Sequence, residues 1–188
     1  MMVVASQTIF CELQRLYPVV SDVKMMILVK MKKIRQATKS DVKSITELFY
    51  ETIQNINIRD YSKEEVDDWS SWSRDVEKWE EEVVEQYFVL YEIEDKIVGF
   101  SSITKDGYLD FMFTHKDFQG KGIAKRMLTE LEKKAIQQGN DFIYSDVSIT
   151  AKDFFLSQGY KVEKQQLKCS KEKELINFRM TKQLKDEK

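Results

Sequence analysis

The stretch Gln119-Gly120-Lys121-Gly122-Ile123-Ala124 constrains this chain more than any other six residues. It follows an apolar, strand-like run and opens an amphipathic helical pattern. Glycine has no Cβ, so an anionic ligand can approach the bare backbone of such a loop closely. A helix that starts here leaves its first N–H groups without intrahelical partners, and the positive end of its dipole points the same way. Loop and helix start together form a cradle for pyrophosphate. A phosphorylated cofactor is therefore expected on Gln119, Gly120, Lys121, Gly122, Ile123, Ala124 and Lys125.

Two familiar phosphate loops do not fit. A Walker loop needs G-x-x-x-x-G-K-[ST], which the chain lacks. A dinucleotide fingerprint needs a third glycine inside a parallel βαβ unit, where this chain has Lys125 after an antiparallel run of strands. A Rossmann-type oxidoreductase and a purely structural glycine turn remain the rivals at this point.

The 188 residues suffice for one domain with one sizeable core. Thirty basic side chains against 32 acidic give a net charge of −2, with no basic footprint for nucleic acid or for an anionic membrane surface. No apolar run reaches the ~18 residues that cross a bilayer, and the first ten residues carry no positive charge, unlike a secretory signal. Cys11 and Cys169 are too few for a disulfide framework and read as free thiols, so a cytoplasmic location is expected.

Residues 1–31 fit the rest poorly and read as an N-terminal extension, with Met25, Met26 and Met31 as possible alternative starts. From Lys33 the pattern is clear. A short strand (Lys33–Ala37) leads to Thr38-x-x-Asp41, a capping-box-like start with Asp in place of Glu. Val42, Ile45, Phe49, Ile53 and Ile56 then recur at helical spacing. A second helix from Ser62 carries Val66, Trp69 and Trp72. A third, Ser73–Glu85, has Val76, Trp79 and Val83 as its apolar stripe. Tyr87–Ile93, Lys96–Thr104 and Tyr108–His115 form a meander joined by short turns. A helix from Lys121 to Gln138 ends at Gly139. Strand Asp141–Val147, short helix Thr150–Ser157 and strands Tyr160–Lys168 and Glu174–Leu184 close the chain.

This element order, together with two motifs, resembles the GNAT superfamily of acyl-CoA N-acyltransferases. Gln119, Gly122 and Ala124 match the family's [QR]-x-x-G-x-[GA], and Ala151-x-x-Phe154-Phe155 with Gly159-Tyr160 matches its A-x-x-[LF]-Y-x-x-x-G-[FY]. Asp60-Tyr61-Ser62, Asp68-Trp69 and Asp146-Val147-Ser148 resemble a group of uncharacterised bacterial acetyltransferases. The resemblance covers residues 32–185. It implies an α+β GNAT fold, with a mixed, mostly antiparallel sheet of six to seven strands flanked by helices. It further implies acetyl-CoA as co-substrate without a metal, and an amine acceptor that is a small molecule or a protein amino group. The chain would then act as a monomer or homodimer.

On the same basis the pantetheine arm would lie between Tyr108–His115 and Asp141–Val147, with backbone groups of Phe113 and Thr114 pairing with it. Phe155 stands where the family has the tyrosine that protonates the departing thiolate, and Ser148 where many members have asparagine. Phenylalanine has no proton to donate, so a non-catalytic acyl-CoA-binding module is the alternative reading.

Strand alternation puts Leu109, Phe111 and Phe113 on one face and Tyr108, Asp110, Met112 and Thr114 on the other. Tyr108 and Asp110 are the catalytic candidates, a phenol to protonate the thiolate and a carboxylate to take the amine proton. His115, the single histidine, reads as a strand-end turn residue. The three tryptophans read as core or lid packing, with Tyr61 and Trp69 as possible acceptor-pocket walls, and Glu80–Glu82 with Glu85 as a solvated face.

Overall fold

The computed structural model describes residues 32–184, so the expected extension 1–31 lies outside the described residues. The elements are β1 (Lys32–Gln36), α1 (Val42–Asn55), α2 (Lys63–Ser70), α3 (Val76–Glu85), β2 (Tyr87–Ile93), β3 (Lys96–Ile103), β4 (Leu109–Thr114), α4 (Ile123–Gln137), β5 (Phe142–Ser148), α5 (Lys152–Ser157), β6 (Lys161–Cys169) and β7 (Glu174–Gln183). Single 3-10 turns precede α1 and follow α1, α2 and β4. Trp72, expected within the second helix, falls in the 3-10 turn Ser71–Arg74.

The strands form two antiparallel sheets, ordered β1-β2-β3-β4 and β5-β7-β6. They meet at one parallel bridge, Tyr108 with Tyr144, backed by the Tyr144 N–H to Gly107 O bond (3.1 Å) and Ser145 Oγ to Leu109 O (2.8 Å). Beyond Tyr108 no ladder joins β4 to β5, and the two strands diverge into a cleft. The result is an α+β fold whose sheet is continuous in outline and split at its centre.

The second strand shows why the sheet sits inside. Its run Phe88-Val89-Leu90-Tyr91 is buried on both faces. Phe88 and Leu90 pack with α1, α2 and α3, while Val89 and Tyr91 pack with α4 residues on the other side. An apolar strand without polar alternation is what a sheet covered on both faces requires. The stripe Ile123, Met127, Leu128, Leu131 and Ala135 of α4 is buried as its spacing predicted. In α3, Trp79 and Val83 are buried, but Val76 is half exposed, because α3 begins there at the surface.

Gly99 sets how closely α4 approaches. A Cβ there would lie 2.9 Å from Met127 Cε, 3.0 Å from Ile123 Cγ2 and 3.1 Å from Phe113 O. The start of α4 therefore rests directly on β3, which fixes the glycine loop against the divergence of β4 and β5.

The expected capping box at Thr38 and Asp41 is present, with the Thr38 N–H donating to Asp41 Oδ2 at 2.9 Å. Arg35 also forks onto Asp41 at 2.7 and 2.8 Å and holds its carboxyl low, at a pKa of about 2. This pins the start of α1 to β1.

Candidate active site

Two cavities open on the cleft. The first, about 420 Å3, runs from the divergence of β4 and β5 to the glycine loop. Gln119, Gly120, Gly122, Ile123, Ala124 and Lys125 of the loop line it, together with Phe113, Thr114 and Phe155. Gly120 and Gly122 have φ of 69° and 73°, the left-handed region that favours glycine. A Cβ at either would meet nothing within 4 Å, so the loop needs glycine for its backbone path and not for space inside the protein. The first i→i−4 bond of α4 is made by Arg126 to Gly122 O. The N–H groups of Ile123, Ala124 and Lys125 precede it and have no helical acceptor. A left-handed turn over free amides at a helix start suits a pyrophosphate. Gln119 Nε2 ties the loop back to β4 by donating to Thr114 O at 2.6 Å.

Three sequence expectations change here. Lys121 does not line the cleft. Its ammonium donates to Asp117 O at 3.0 Å and lies 4.3 Å from the Phe118 ring centre. Phe113 pairs with Phe100, two positions from the His115 N–H to Val98 O bond, so in the antiparallel ladder its backbone groups also face β3. Met112 and Thr114 present theirs to the cleft instead, and only the Phe113 ring lines it. The alternation of β4 also breaks. Ser101 pairs with Met112 but Ile103 with Leu109, so Asp110 and Phe111 bulge opposite one residue. Leu109 and Met112 therefore pack on one side of the sheet and Phe111 and Phe113 on the other.

The second cavity, about 360 Å3, lies between α2, α3 and β4 below and the β6–β7 hairpin above. Its apolar walls are almost entirely aromatic, with Phe49, Trp69, Trp72, Trp79, Phe111 and Phe113 among them. Asp68 holds the hairpin turn down by accepting from the N–H groups of Lys171 (2.9 Å), Glu172 (3.0 Å) and Lys173 (3.4 Å). Tyr61 ties the far side, donating to Ile176 O at 2.7 Å and accepting from the Ile149 N–H at 2.9 Å. Glu82, expected on a solvated face, lines this cavity and pairs with Lys78 at 3.1 Å. His115 lines neither. Its Nδ1 accepts from the Asp117 N–H at 3.2 Å and caps the 3-10 turn after β4.

The cavities share Trp69, Asp110, Phe113, Asp146 and Ser148. The β4 bulge is what brings Asp110 to this junction. Its carboxylate accepts from Gln86 Nε2 at 2.9 Å, and Gln86 in turn is held by Ser102 Oγ at 2.7 Å. Burial raises the Asp110 pKa above the ordinary carboxylate value; the Gln86 bond opposes this, the Glu82 charge adds to it, and Lys168 and Lys78 oppose it from further away. Asp146 is held the other way. Burial raises its pKa, but Lys168 (2.6 Å) and Arg179 (2.7 Å) outweigh that and keep it below the ordinary range. Two carboxylates at one junction thus differ in proton affinity, an arrangement that can divide proton transfer and fixed charge between them.

Tyr108 does not fit its expected part. Its ring lines only the aromatic cavity, and its hydroxyl lies 3.4 Å from Asp146 Oδ2 and 3.3 Å from Lys168 Nζ. Burial, first, and then the charges of Asp110 and Asp146 push its pKa up, so it is a poor acid for a leaving thiolate. The sequence marks Asp146 only as part of the segment Asp146-Val147-Ser148, with no role, and gives no signal for Arg179, Lys168 or Gln86. Asp146 and Arg179 face each other across the β5–β7 register, a pairing that only the folded sheet supplies.

Among the described residues no helix is long and apolar enough to cross a membrane. A model of the acetyltransferase (GNAT) domain matches residues 57–184. The uncharacterised N-acetyltransferase YafP of Escherichia coli K12 is 26% identical over 134 residues, covering 71% of this chain and 84% of YafP. A GCN5-related N-acetyltransferase from Rhodopseudomonas palustris superposes with a TM-score of 0.80 at 25% identity, over 82% of this chain and 96% of that one. PaiA N-acetyltransferase from Thermoplasma acidophilum, solved with coenzyme A, gives a TM-score of 0.69 at 22% identity over 81% and 98%. The chain belongs to the GNAT acetyltransferase family.

Proposed function

We propose that this protein transfers an acetyl group from acetyl-CoA to an amine by direct attack within a ternary complex, with Asp110 as the proton-transfer residue. The observation that carries the reading is the meeting of two cavities at one carboxylate of raised pKa.

The backbone amides from Gly122 to Lys125 would hold the pyrophosphate, and the free edges of β4 and β5 the pantetheine arm. When bound, acetyl-CoA supplies the activated acetyl thioester. Asp110 takes a proton from the amine as the new N–C bond forms and the C–S bond breaks. The same carboxyl borders the cofactor cleft, so it can return that proton to the sulfur. One residue then covers both transfers, which accounts for a chain with Phe155 at the usual acid position. Phe155 is buried, 4.9 Å from the Tyr160 ring, and serves as an apolar wall of the cleft. Tyr108, with Lys168 and Arg179, positions Asp146 as the fixed charge.

The test is release of CoA thiol with acetyl-CoA and a broad amine mixture, alongside mass detection of acetylated product. Amine-dependent release supports the reading. Tight CoA binding with no product from any amine would establish the non-catalytic acyl-CoA-binding module instead.

A further inference from the structure

We propose that the aromatic cavity takes an arylalkylamine, a primary amine with one positive charge on a short arm from one or two aromatic rings. This rests on the acetyl-transfer reading and names its acceptor.

The walls argue for an aromatic body. Trp79 stands edge-on to Phe49 at 5.0 Å and lies beside Phe111 at 4.8 Å, and Trp69 is edge-on to Phe113 at 6.3 Å. The indole N–H groups of Trp72 and Trp79 are spent on Ser170 Oγ (3.2 Å) and Trp72 O (3.0 Å). Those two residues therefore offer ring surface and no polar handle. Aromatic rings prefer offset or edge-on partners at such separations. A volume of about 360 Å3 is at the small end of the ~300–1,000 Å3 that ligand pockets span, enough for one or two rings.

The charges argue for one ammonium and no carboxylate. Glu82 is paired with Lys78, and Asp146 with Lys168 and Arg179. Asp110 accepts only from the neutral Gln86. Among the described residues lining the cavity it is the one carboxylate without a cation on it. A second ammonium would have to break an existing ion pair, which selects against polyamines and aminoglycosides. An α-carboxylate would find both lysines already paired and Asp146 ionised, which selects against free amino acids. Asp110 sits at the cofactor end, so the amine points to the acetyl group and the ring lies back toward Trp72, under the hairpin that Asp68 pins.

The experiment compares kcat/KM at saturating acetyl-CoA for tryptamine and phenethylamine against spermidine, kanamycin, tryptophan and a peptide with a free amino terminus. The arylalkylamines are expected to exceed the rest at least tenfold. Trp72→Ala should lower their kcat/KM at least tenfold through KM, leave KM for acetyl-CoA unchanged, and be largely rescued by Trp72→Phe. Calorimetric titration of phenethylamine into the CoA-saturated protein reads the same site without turnover. Turnover of spermidine or peptide with no phenethylamine binding overturns this inference and spares acetyl transfer. Phenethylamine binding with no turnover of any amine keeps the occupant and overturns acetyl transfer. Neither binding nor turnover overturns both.

Discussion

Asp110→Asn should separate activity from stability in opposite directions. The amide is nearly isosteric, and its oxygen can still accept from Gln86 Nε2, so the Gln86–Ser102 support of the bulge survives. What disappears is the proton acceptor at the junction. General acid–base catalysis is typically worth ~10²–10⁴-fold, which is about 3–5 kcal/mol of barrier. The kcat should therefore fall at least 100-fold, with KM for acetyl-CoA unchanged, because the glycine cradle is untouched. The acidic limb of the wild-type pH–rate profile should flatten in the variant.

The sign on stability follows from linkage. Burial raises the Asp110 pKa, so the folded protein keeps this proton to higher pH than the unfolded chain does. Its contribution is most favourable below the ordinary carboxylate range and is lost as pH rises through the folded pKa. At pH 7 asparagine escapes that cost, so the melting temperature should be unchanged or higher than wild type, and the difference should close below pH ~4. The assays are thiol release across pH 6–9 and thermal unfolding at pH 4 and 7. Wild-type rates across that range would refute the assignment of Asp110, and a large fall in melting temperature at pH 7 would refute the account of its environment.

Four further outcomes are expected. Gly122→Asp, with open space for its Cβ, should fold but weaken CoA binding by more than 100-fold in calorimetry, since two like charges ~5 Å apart repel by about 3 kcal/mol at an effective dielectric of 20; Gly122→Ala should lose far less. Tyr108→Phe should raise the acceptor KM severalfold without moving KM for acetyl-CoA, because the hydroxyl faces Asp146 and Lys168 on the acceptor side. Asp68→Ala, by freeing the Lys171–Lys173 turn, should likewise raise acceptor KM in steady-state kinetics and leave CoA affinity alone. Asp95→Gly should raise the melting temperature by about 2–4 °C in a thermal scan, as Asp95 sits at φ 60° in the β2–β3 turn and relief of a left-handed residue is worth about 1 kcal/mol.

The sequence revealed what is local. The cradle depends on two glycines and the residues right after them, and the helical stripes on spacing within fifteen residues, so both could be read directly. The junction could not. Its key step is a bulge at Asp110–Phe111, which arises from how β4 pairs with β3, and the regular alternation of Tyr108–His115 hides it. Asp146 owes its charge to Lys168 and Arg179 on two other strands, so its part is set by register between β5, β6 and β7. In the sequence, Tyr108 beside Asp110 on one strand face looks like a proton relay. The fold turns that phenol toward a different carboxylate.

The phenylalanine at position 155 then changes meaning. An alkyl thiol ionises near pH ~8.5, so a thioester sulfur leaves without full protonation more readily than an alkoxide or an amide nitrogen would. The demanding proton transfer is then the one from the amine nitrogen as it attacks, and it needs a base of raised pKa at the amine. On the proposed reading Asp110, half-buried and without a cation on it, meets that need. A second acid beside the sulfur would add little where the first carboxyl already borders both cavities. On the same reading an apolar Phe155 in the cleft wall would instead exclude water from the thioester side. That would keep the acetyl group for the amine and raise the cost of simple hydrolysis. Phe155→Tyr should therefore restore a phenol without a matching gain in amine-dependent kcat, while acetyl-CoA hydrolysis in the absence of amine should rise. A tenfold gain in amine transfer from that one hydroxyl would show that the sulfur, not the amine, limits the rate.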